Sequence, residues 1–133
     1  MRAVSDRFFS GSPYEPEVGF CRALRDADRV LVAGTAPIAD DGAPFAPGDA
    51  YAQARRCLEI IGRAVVALGG GLPDVVRTRI YLTSAASWQA VARAHGEVFR
   101  DHPPVSTFVV VAGLLDPAWL VEIEAEASVK RES

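Results

Sequence analysis

The stretch Leu120-Val121-Glu122-Ile123-Glu124-Ala125-Glu126-Ala127 alternates strictly between apolar and acidic side chains near the end of the chain. Successive side chains of a β-strand point to opposite faces of its sheet, so this alternation predicts a strand with one apolar face and one face of three carboxylates. Carboxylates in a row repel one another unless their face meets solvent, cations or a site. Two interpretations follow: a solvated sheet face with cross-strand partners, or a site lined by one of these carboxylates.

Two helices are predicted upstream of this strand. Asp49 is a good helix N-cap, and the apolar stripe after it keeps helical spacing until Gly69-Gly70-Gly71 ends it. A second helix begins at Ser84 or Ser87. Its apolar stripe consists of Trp88, Val91, Ala92, His95, Val98 and Phe99. Each helix therefore has one face that must be buried against another layer.

The first half of the chain is expected to supply a hairpin between two irregular segments. Residues 20–25 and 29–33 are short β-prone runs around Asp26-Ala27-Asp28, a pattern typical of a hairpin. Residues 8–16 are rich in Gly, Ser and Pro and are predicted to be irregular. Residues 34–48 hold three prolines and an Asp-Asp-Gly turn, which predicts a loop with at most a short strand.

Three further strands are predicted in the second half, at residues 74–83, 105–112 and 119–129. The strand at 74–83 separates its side chains by alternation. One side carries Val76, Thr78, Ile80 and Leu82, and the other carries Val75, Arg77, Arg79 and Tyr81.

The order β-β-α-β-α-β-β is typical of a two-layer α+β domain in which both helices cover one face of a mixed sheet. At 133 residues the chain is expected to form one domain over residues 1–133 and to bury roughly two thirds of its unfolded surface. Opposite charges paired on the uncovered face would contribute on the order of 0.2–1 kcal/mol per pair. The charged residues expected on that face are Arg77, Arg79, Glu122, Glu124 and Glu126. We expect oligomerisation to cover part of it.

Composition excludes several classes of protein. Half of the residues are hydrophobic and the net charge is -3, values typical of a soluble globular domain. Lys130 is the single lysine and the arginines are scattered, so the basic patch of a nucleic-acid-binding protein is missing. No apolar stretch approaches the ~20 residues of a membrane span. The first residues lack the apolar core of a secretory signal, so a cytoplasmic location is expected.

The cysteines and histidines are predicted to be structural. Two free thiols, Cys21 and Cys57, are expected in a reducing cytosol, with one disulfide as the alternative. Neither has a His or Asp at informative spacing, so both are interpreted as packing residues rather than nucleophiles. His95 and His102 have no partners at metal-ligand spacing, so no metal site is predicted. His95 lies on an apolar stripe and is interpreted as a hydrogen-bonded, half-buried packing residue rather than a general base.

With these pieces in order, the chain resembles the RidA/YjgF family, also called the endoribonuclease L-PSP family. The segments that carry the resemblance follow the family's order over nearly the whole chain. They are Arg29-Val30-Leu31-Val32-Ala33-Gly34-Thr35, Gln53-Ala54-Arg55, Asp74-Val75-Val76-Arg77-Thr78-Arg79-Ile80-Tyr81-Leu82 after a glycine-rich turn, and Val121-Glu122-Ile123-Glu124-Ala125. The resemblance implies a chorismate-mutase-like α+β protomer that forms a homotrimer with three clefts between subunits.

The resemblance also implies an activity. The family is best known for hydrolysing small imines and enamines, such as 2-iminobutanoate and 2-iminopropanoate, to 2-oxo acids and ammonia without a cofactor. In those deaminases an Arg in a Pro-x-Arg-Ser motif grips the substrate carboxylate, and a Glu near the end of the chain positions the attacking water. On this chain the resemblance puts Glu122 at the water-positioning Glu, Gly34 at the loop glycine and Phe20 at the usual Tyr.

Other positions depart from the family pattern. Val105 stands at the position of the Arg, and since a charge-assisted bond is worth roughly 1.5–3 kcal/mol, its loss would weaken carboxylate binding by about ten- to a hundredfold. Thr107, by contrast, fits the pattern, since it stands where many members have Cys or Thr. Ala33 replaces the usual Ser before Gly34, and Arg93 appears where Asn is common.

The chain looks like an arginine-lacking branch of the family, marked by Gly11-Ser12-Pro13-Tyr14-Glu15-Pro16 and Gly19-Phe20-Cys21-Arg22-Ala23. Arg22 could supply the anion-binding charge that Val105 cannot, or could pair with an exposed carboxylate. Glu122 is the candidate catalytic residue. The candidate substrate-binding residues are Phe20, Arg22, Gly34, Arg93, Val105 and Thr107.

Three functions stay open on this reasoning. The first is hydrolytic deamination, or a related hydrolysis, of a small imine, enamine or amide, with water oriented by Glu122. The second is a non-catalytic trimer that binds a small molecule or stabilises a partner, which Val105 favours. Ribonuclease activity, the family's older label, is least favoured because the acidic chain offers no basic groove. No cofactor, nucleic-acid partner or membrane partner is expected.

Overall fold

The computed structural model describes residues 6–130 and builds them around one six-stranded sheet. Short 3-10 turns at Leu72–Asp74 and Ala85–Ser87 precede a strand and a helix, respectively. The elements in chain order are β1 (Arg7–Phe8), α1 (Tyr14–Val18), β2 (Ala23–Asp26), β3 (Arg29–Thr35), α2 (Ala50–Ala67), β4 (Val75–Leu82), α3 (Trp88–Phe99), β5 (Val105–Val110) and β6 (Val121–Ser128).

The sheet has the strand order β1-β2-β3-β6-β4-β5 and is mixed. β4 and β5 are parallel neighbours, joined through α3, and the other neighbouring pairs are antiparallel. α2 packs on β3 and β6, and α3 packs on α2. The predicted two-layer α+β architecture, with two long helices on one face of a mixed sheet, is confirmed. The last strand therefore lies in the middle of the sheet, between β3 and β4.

Helix α2 forms as its sequence predicts. The Asp49 side chain accepts a hydrogen bond from the backbone N–H of Ala52 at 2.9 Å, which caps the first turn. The helix ends before Gly69, whose φ of 101° is the left-handed conformation that glycine adopts without strain. Its inner face is buried against the sheet and consists of Ala54, Cys57, Leu58, Ile61, Ala64 and Val65. Among the described residues, no helix is both long and apolar enough to cross a membrane.

The segment predicted to be irregular contains two short elements. β1 pairs antiparallel with β2, and α1 adds five helical residues after it. Gly19 ends α1 with a φ of 92°. A strand of two residues and a helix of five residues each span less than two periods of their pattern, so periodicity does not detect them. The loop predicted after β3 is confirmed, with one isolated bridge between Ile38 and Pro44.

The predicted faces of β4 are wrong at its first two residues. Val75 is 3% exposed and points to the core, whereas Val76 is 48% exposed. The cause is a bulge: Val75 pairs with Ala127 and Arg77 pairs with Glu126, so Val76 is one extra residue on β4. After the bulge, alternation is as predicted.

The sheet face away from the helices carries the predicted charges in cross-strand pairs. Arg79 donates to the Glu124 carboxylate at 2.6 Å, and the Tyr81 hydroxyl donates to the same oxygen at 2.5 Å. Glu126 is within 3.3 Å of Arg29 and 4.0 Å of Arg77. These pairs are partly exposed, so each contributes little to stability. The interpretation of this face as paired charges is confirmed for Glu124 and Glu126.

Candidate functional site

Glu122 is the acidic residue of β6 for which the structure shows no ion pair among residues 6–130. Its carboxylate instead lies directly against Gly34 of β3. A Cβ atom built on Gly34 would be 2.3 Å from Glu122 Oε2, which is far inside van der Waals contact. Glycine at position 34 is therefore what allows this carboxylate to occupy its place.

The backbone of β3 is irregular beside Glu122. Val32 pairs with Ala125 and Thr35 pairs with Ile123, so β3 carries one more residue than β6 across this interval. Such irregularities bend a strand and re-aim side chains, and they are common beside functional sites. Here the irregularity brings Gly34 next to the first acidic side chain of β6.

Burial raises the pKa of the Glu122 carboxyl above its ordinary value, because the charged form loses solvation. The Arg22 guanidinium acts in the opposite direction and Glu124 in the same direction, but burial dominates. The Glu122 carboxyl thus keeps its proton to a higher pH than a solvated glutamate. A carboxyl tuned toward neutral pH suits proton transfer to and from a reacting molecule.

Arg22 lies beside this carboxyl but is engaged by protein groups. It is 4% exposed, and its Nε donates to Glu15 at 3.1 Å. Its Nη1 donates to the Gly34 carbonyl oxygen at 2.6 Å, and its guanidinium carbon lies 5.2 Å from the centre of the Phe20 ring. The partner is thus a buried carboxylate, Glu15, and not the exposed one that sequence reasoning offered as an alternative.

The structure brings four of the sequence-predicted site residues together: Phe20, Arg22, Gly34 and Glu122. Sequence reasoning missed Glu15 as part of this cluster. The Glu15 side chain is 2% exposed, and it belongs to the motif Gly11-Ser12-Pro13-Tyr14-Glu15-Pro16. The signal that could have found it is an acidic residue between prolines in a segment whose neighbouring motif supplies an arginine.

Val105 and Thr107 lie elsewhere on the sheet. β4 separates their strand from β6, so they are two strand spacings, roughly 10 Å, from the row of acidic residues. Through β4, Glu122 is level with Val109, which is four residues along β5 from Val105. Within one chain, Val105 therefore does not meet Glu122. Both residues are exposed, with Val105 at 59%.

Arg93 is placed in the helical layer and not beside Glu122. Its guanidinium carbon lies 3.9 Å from the centre of the Tyr51 ring, a stacked cation–π contact between α3 and α2. His95 is also in α3 and is half-buried. Its Nε2 is 2.8 Å from Thr78 Oγ1 and 3.3 Å from Ser106 Oγ. The interpretation of His95 as a hydrogen-bonded packing residue is confirmed.

The thiols are free, and no metal-binding cluster is present in residues 6–130. Cys57 is fully buried in α2, and burial, with a smaller contribution from Glu122, raises the pKa of its thiol well above the ordinary value. A thiol that resists ionisation is a poor nucleophile, which fits the predicted packing role.

Arg22 and Thr35 also line a cavity of about 240 Å³. Its other walls come from the segment between β1 and α1, from the loop after β3 and from the Arg56 side of α2. Glu122 is not part of its lining, and the Arg56 guanidinium is occupied by the Ile38 carbonyl and by Asp40. A molecule in this cavity would therefore lie against Arg22 and not directly against Glu122.

Both the sequence and the fold of this chain match those of known proteins. Residues 11–129 match the sequence profile described as endoribonuclease L-PSP. The chain is 40% identical over 121 residues to an uncharacterised protein of Streptomyces coelicolor, covering 91% of this chain and 90% of that protein. It is 32% identical over 118 residues to the 3-aminoacrylate deaminase RutC of Acinetobacter baylyi, covering 89% of this chain and 88% of RutC. A Mycobacterium tuberculosis structure of the YjgF/YER057c/UK114 family is 41% identical, with a TM-score of 0.83 over 92% of this chain and 98% of that chain.

Proposed function

The chain belongs to the endoribonuclease L-PSP family, which is the RidA/YjgF family, and we propose on that basis that it hydrolyses a small imine or enamine at a site between subunits. The observation that carries the proposal is the half-buried Glu122 carboxylate packed on Gly34. The deaminase RutC among its relatives supports the same class of reaction.

The proposed chemistry needs only water and a residue that can move protons. Glu122, in its charged form, accepts a proton from a water molecule while the oxygen of that water attacks the imine carbon. Glu122 passes that proton to the imine nitrogen, which gives a carbinolamine. Glu122 then takes the proton of the carbinolamine hydroxyl and delivers it to the nitrogen as the C–N bond breaks, so that ammonia leaves and a carbonyl group remains. The raised pKa of the Glu122 carboxyl supports both proton transfers near neutral pH. No electron is transferred, so the proposed reaction requires no redox cofactor.

An assembly of subunits is part of the proposal. Every residue of β5 is exposed in the single chain, including Val105 and Thr107, which lie too far from Glu122 of the same chain to share a site. We propose a cytoplasmic homotrimer in which β5 of one subunit faces the Phe20, Gly34 and Glu122 cluster of its neighbour. The open position of β5 at the sheet edge supports this arrangement.

The test is a coupled assay in which an amino-acid oxidase generates 2-iminopropanoate and semicarbazide traps the remaining imine. The protein should accelerate imine loss, and Glu122→Gln should reduce the acceleration by about 10²–10⁴-fold, the usual contribution of general acid–base catalysis. Glu126→Gln is the matched control, since Glu126 lies on the same strand and face but is paired with arginines. Full activity in Glu122→Gln would refute the mechanism.

Val105 favours a second candidate, a trimer that binds a small molecule without transforming it. An uncharged side chain at the position of the family's carboxylate-gripping Arg removes the cation on which typical members depend. A thermal-shift screen of imines, enamines and small carboxylates separates the candidates. A compound that raises the melting temperature but is consumed no faster with the protein than without it supports binding alone, and one that is consumed faster with the protein supports hydrolysis.

A further inference from the structure

Glu15 and Arg22 form an ion pair that is buried on both sides. Glu15 is 2% exposed and Arg22 is 4% exposed, and the two side chains meet at 3.1 Å. Removing two charges from water is costly, and such a pair persists only with good geometry and further hydrogen bonds. Its presence beside a candidate catalytic carboxylate therefore needs an explanation beyond stability.

Each member of the pair is held by further contacts. The Glu15 carboxylate accepts hydrogen bonds from the backbone N–H of Ser10 at 3.0 Å and from the Ser10 hydroxyl. On its other side, Arg22 donates to the Gly34 carbonyl at 2.6 Å and to Thr35 Oγ1 at 3.3 Å. The planar guanidinium thus connects the segment around α1 to the backbone of β3 through two separate nitrogens in a fixed geometry, which the single nitrogen of a lysine does not reproduce.

We infer that Glu15 and Arg22 are a positioning pair for Glu122 and that Arg22 is not an anchor for a substrate carboxylate. Arg22 holds the Gly34 carbonyl, which keeps the Gly34 Cα against the Glu122 carboxylate. The negative charge of Glu15 partly compensates the positive charge of Arg22 and so limits the attraction between Arg22 and the Glu122 carboxylate. The inference rests on the proposed function only for the catalytic use of Glu122.

The charged and titratable groups around Glu122 come from several elements. Arg22 precedes β2, Glu124 is on the same strand, and Cys57 lies beneath in α2. Tyr81 of β4 is the cross-strand partner of Glu122, and its hydroxyl donates a hydrogen bond to Glu124. Arg22 is the positive group that lowers the pKa of Glu122 against the effect of burial.

The inference predicts shifts of opposite sign from the two members of the pair. Arg22→Gln removes the positive charge and should raise the pKa of Glu122 further. Glu15→Gln keeps a hydrogen-bond acceptor of the same size but leaves Arg22 uncompensated, so it should lower the pKa of Glu122. An ion pair whose charges do not act on the Glu122 carboxylate would leave its pKa unchanged in both variants.

The experiment is a ¹³C NMR titration of glutamate carboxyl groups in the intact protein, with the Glu122 signal assigned by its loss in Glu122→Gln. Opposite shifts in Glu15→Gln and Arg22→Gln support the inference, and equal or absent shifts overturn it. If Arg22→Gln does not fold, Arg22→Lys replaces it. That variant keeps the charge but loses the two-sided contact, so the pKa should change little while kcat falls.

Arg25→Lys is the matched control, because Arg25 is also a buried arginine of the first hairpin. It holds the carbonyl oxygens of Leu68 and Val129 at 2.6 and 2.7 Å, away from Glu122. Its replacement should lower stability and leave the pKa of Glu122 unchanged, and a shift as large as that in Glu15→Gln would overturn the inference. The titration uses no substrate, so a protein that hydrolyses no imine but shows opposite shifts refutes the proposed function alone.

Discussion

One missing atom decides how the candidate site is built. Gly34 has no Cβ, and that absence lets the Glu122 carboxylate lie against the backbone of β3. Glu124 and Glu126, the other acidic residues of β6, instead face arginine partners on the open sheet.

Replacing Gly34 by alanine should separate activity from stability. The new methyl group would meet Glu122 Oε2 at 2.3 Å, and the carboxylate would have to turn away. Because a side chain end can move, we expect the free energy of unfolding to fall by only about 1 kcal/mol. The rate of imine hydrolysis should fall severely. Urea denaturation and the coupled assay measure the two effects.

Gly113→Ala is the control for this experiment, since a Cβ at Gly113 would meet nothing within 4 Å. It should leave both activity and stability close to those of the unchanged protein. A fully active Gly34→Ala variant would show that the close contact is not needed for the chemistry.

At the scale of single residues, sequence reasoning predicted which way Glu122 points but not what surrounds it. Strict alternation along β6 determines the face of each side chain, and that depends on the strand alone. The partner of Arg22 depends on where α1 lies over the sheet. A five-residue helix between two glycines has too few residues to encode that placement as a pattern.

At the scale of elements, the predicted helices and strands agree with the structure wherever a pattern runs over several periods. α2 begins at its Asp49 cap, and α3 and β6 lie within their predicted ranges. The predictions that disagree with the structure concern short or irregular elements. β1 and α1 are too short to detect, and the bulge at Val76 inverts two faces that alternation had assigned.

The junction of α3 with the sheet should make stability depend on pH through His95. Burial lowers the pKa of His95 below the ordinary value of 6.5, so the unfolded chain binds a proton at a higher pH than the folded protein does. The stability present above that pH is lost as the pH falls through the lower, folded-state pKa. Urea denaturation at pH 7.5 and 5.0 should show this loss.

His95→Gln should flatten that pH dependence, because glutamine offers hydrogen bonds to Thr78 and Ser106 without a titrating group. His102→Gln is the control, since His102 is exposed and lies outside this junction. An equally steep loss of stability in both variants would show that a group other than His95 controls the loss of stability at low pH.

At the scale of the whole molecule, apolar surface is concentrated on β5. Val105, Phe108, Val109 and Val110 are each between 36% and 59% exposed in the single chain. β5 is also an edge strand, with one side of its backbone open to pairing. Natural proteins rarely leave a long apolar edge strand uncovered, so this surface suits contact with a second copy.

Val110→Lys should dissociate the proposed trimer and abolish activity, because a charge on β5 opposes burial there. Light scattering after size-exclusion chromatography measures the mass, and the coupled assay measures the activity. Val66→Lys is the matched control, since Val66 is 64% exposed but lies on α2 in the other layer. A trimer that survives Val110→Lys would contradict the proposed role of β5.

The bulge in β4 also has a consequence for how the length of this chain can vary. Val76 is the extra residue between Val75, which faces the core, and Arg77, which faces away from it. A relative lacking this one residue would keep Val75 inside, Arg77 outside and every later side chain of β4 on its present face. Position 76 is therefore a place where evolution can delete a codon without exchanging the two faces of a strand.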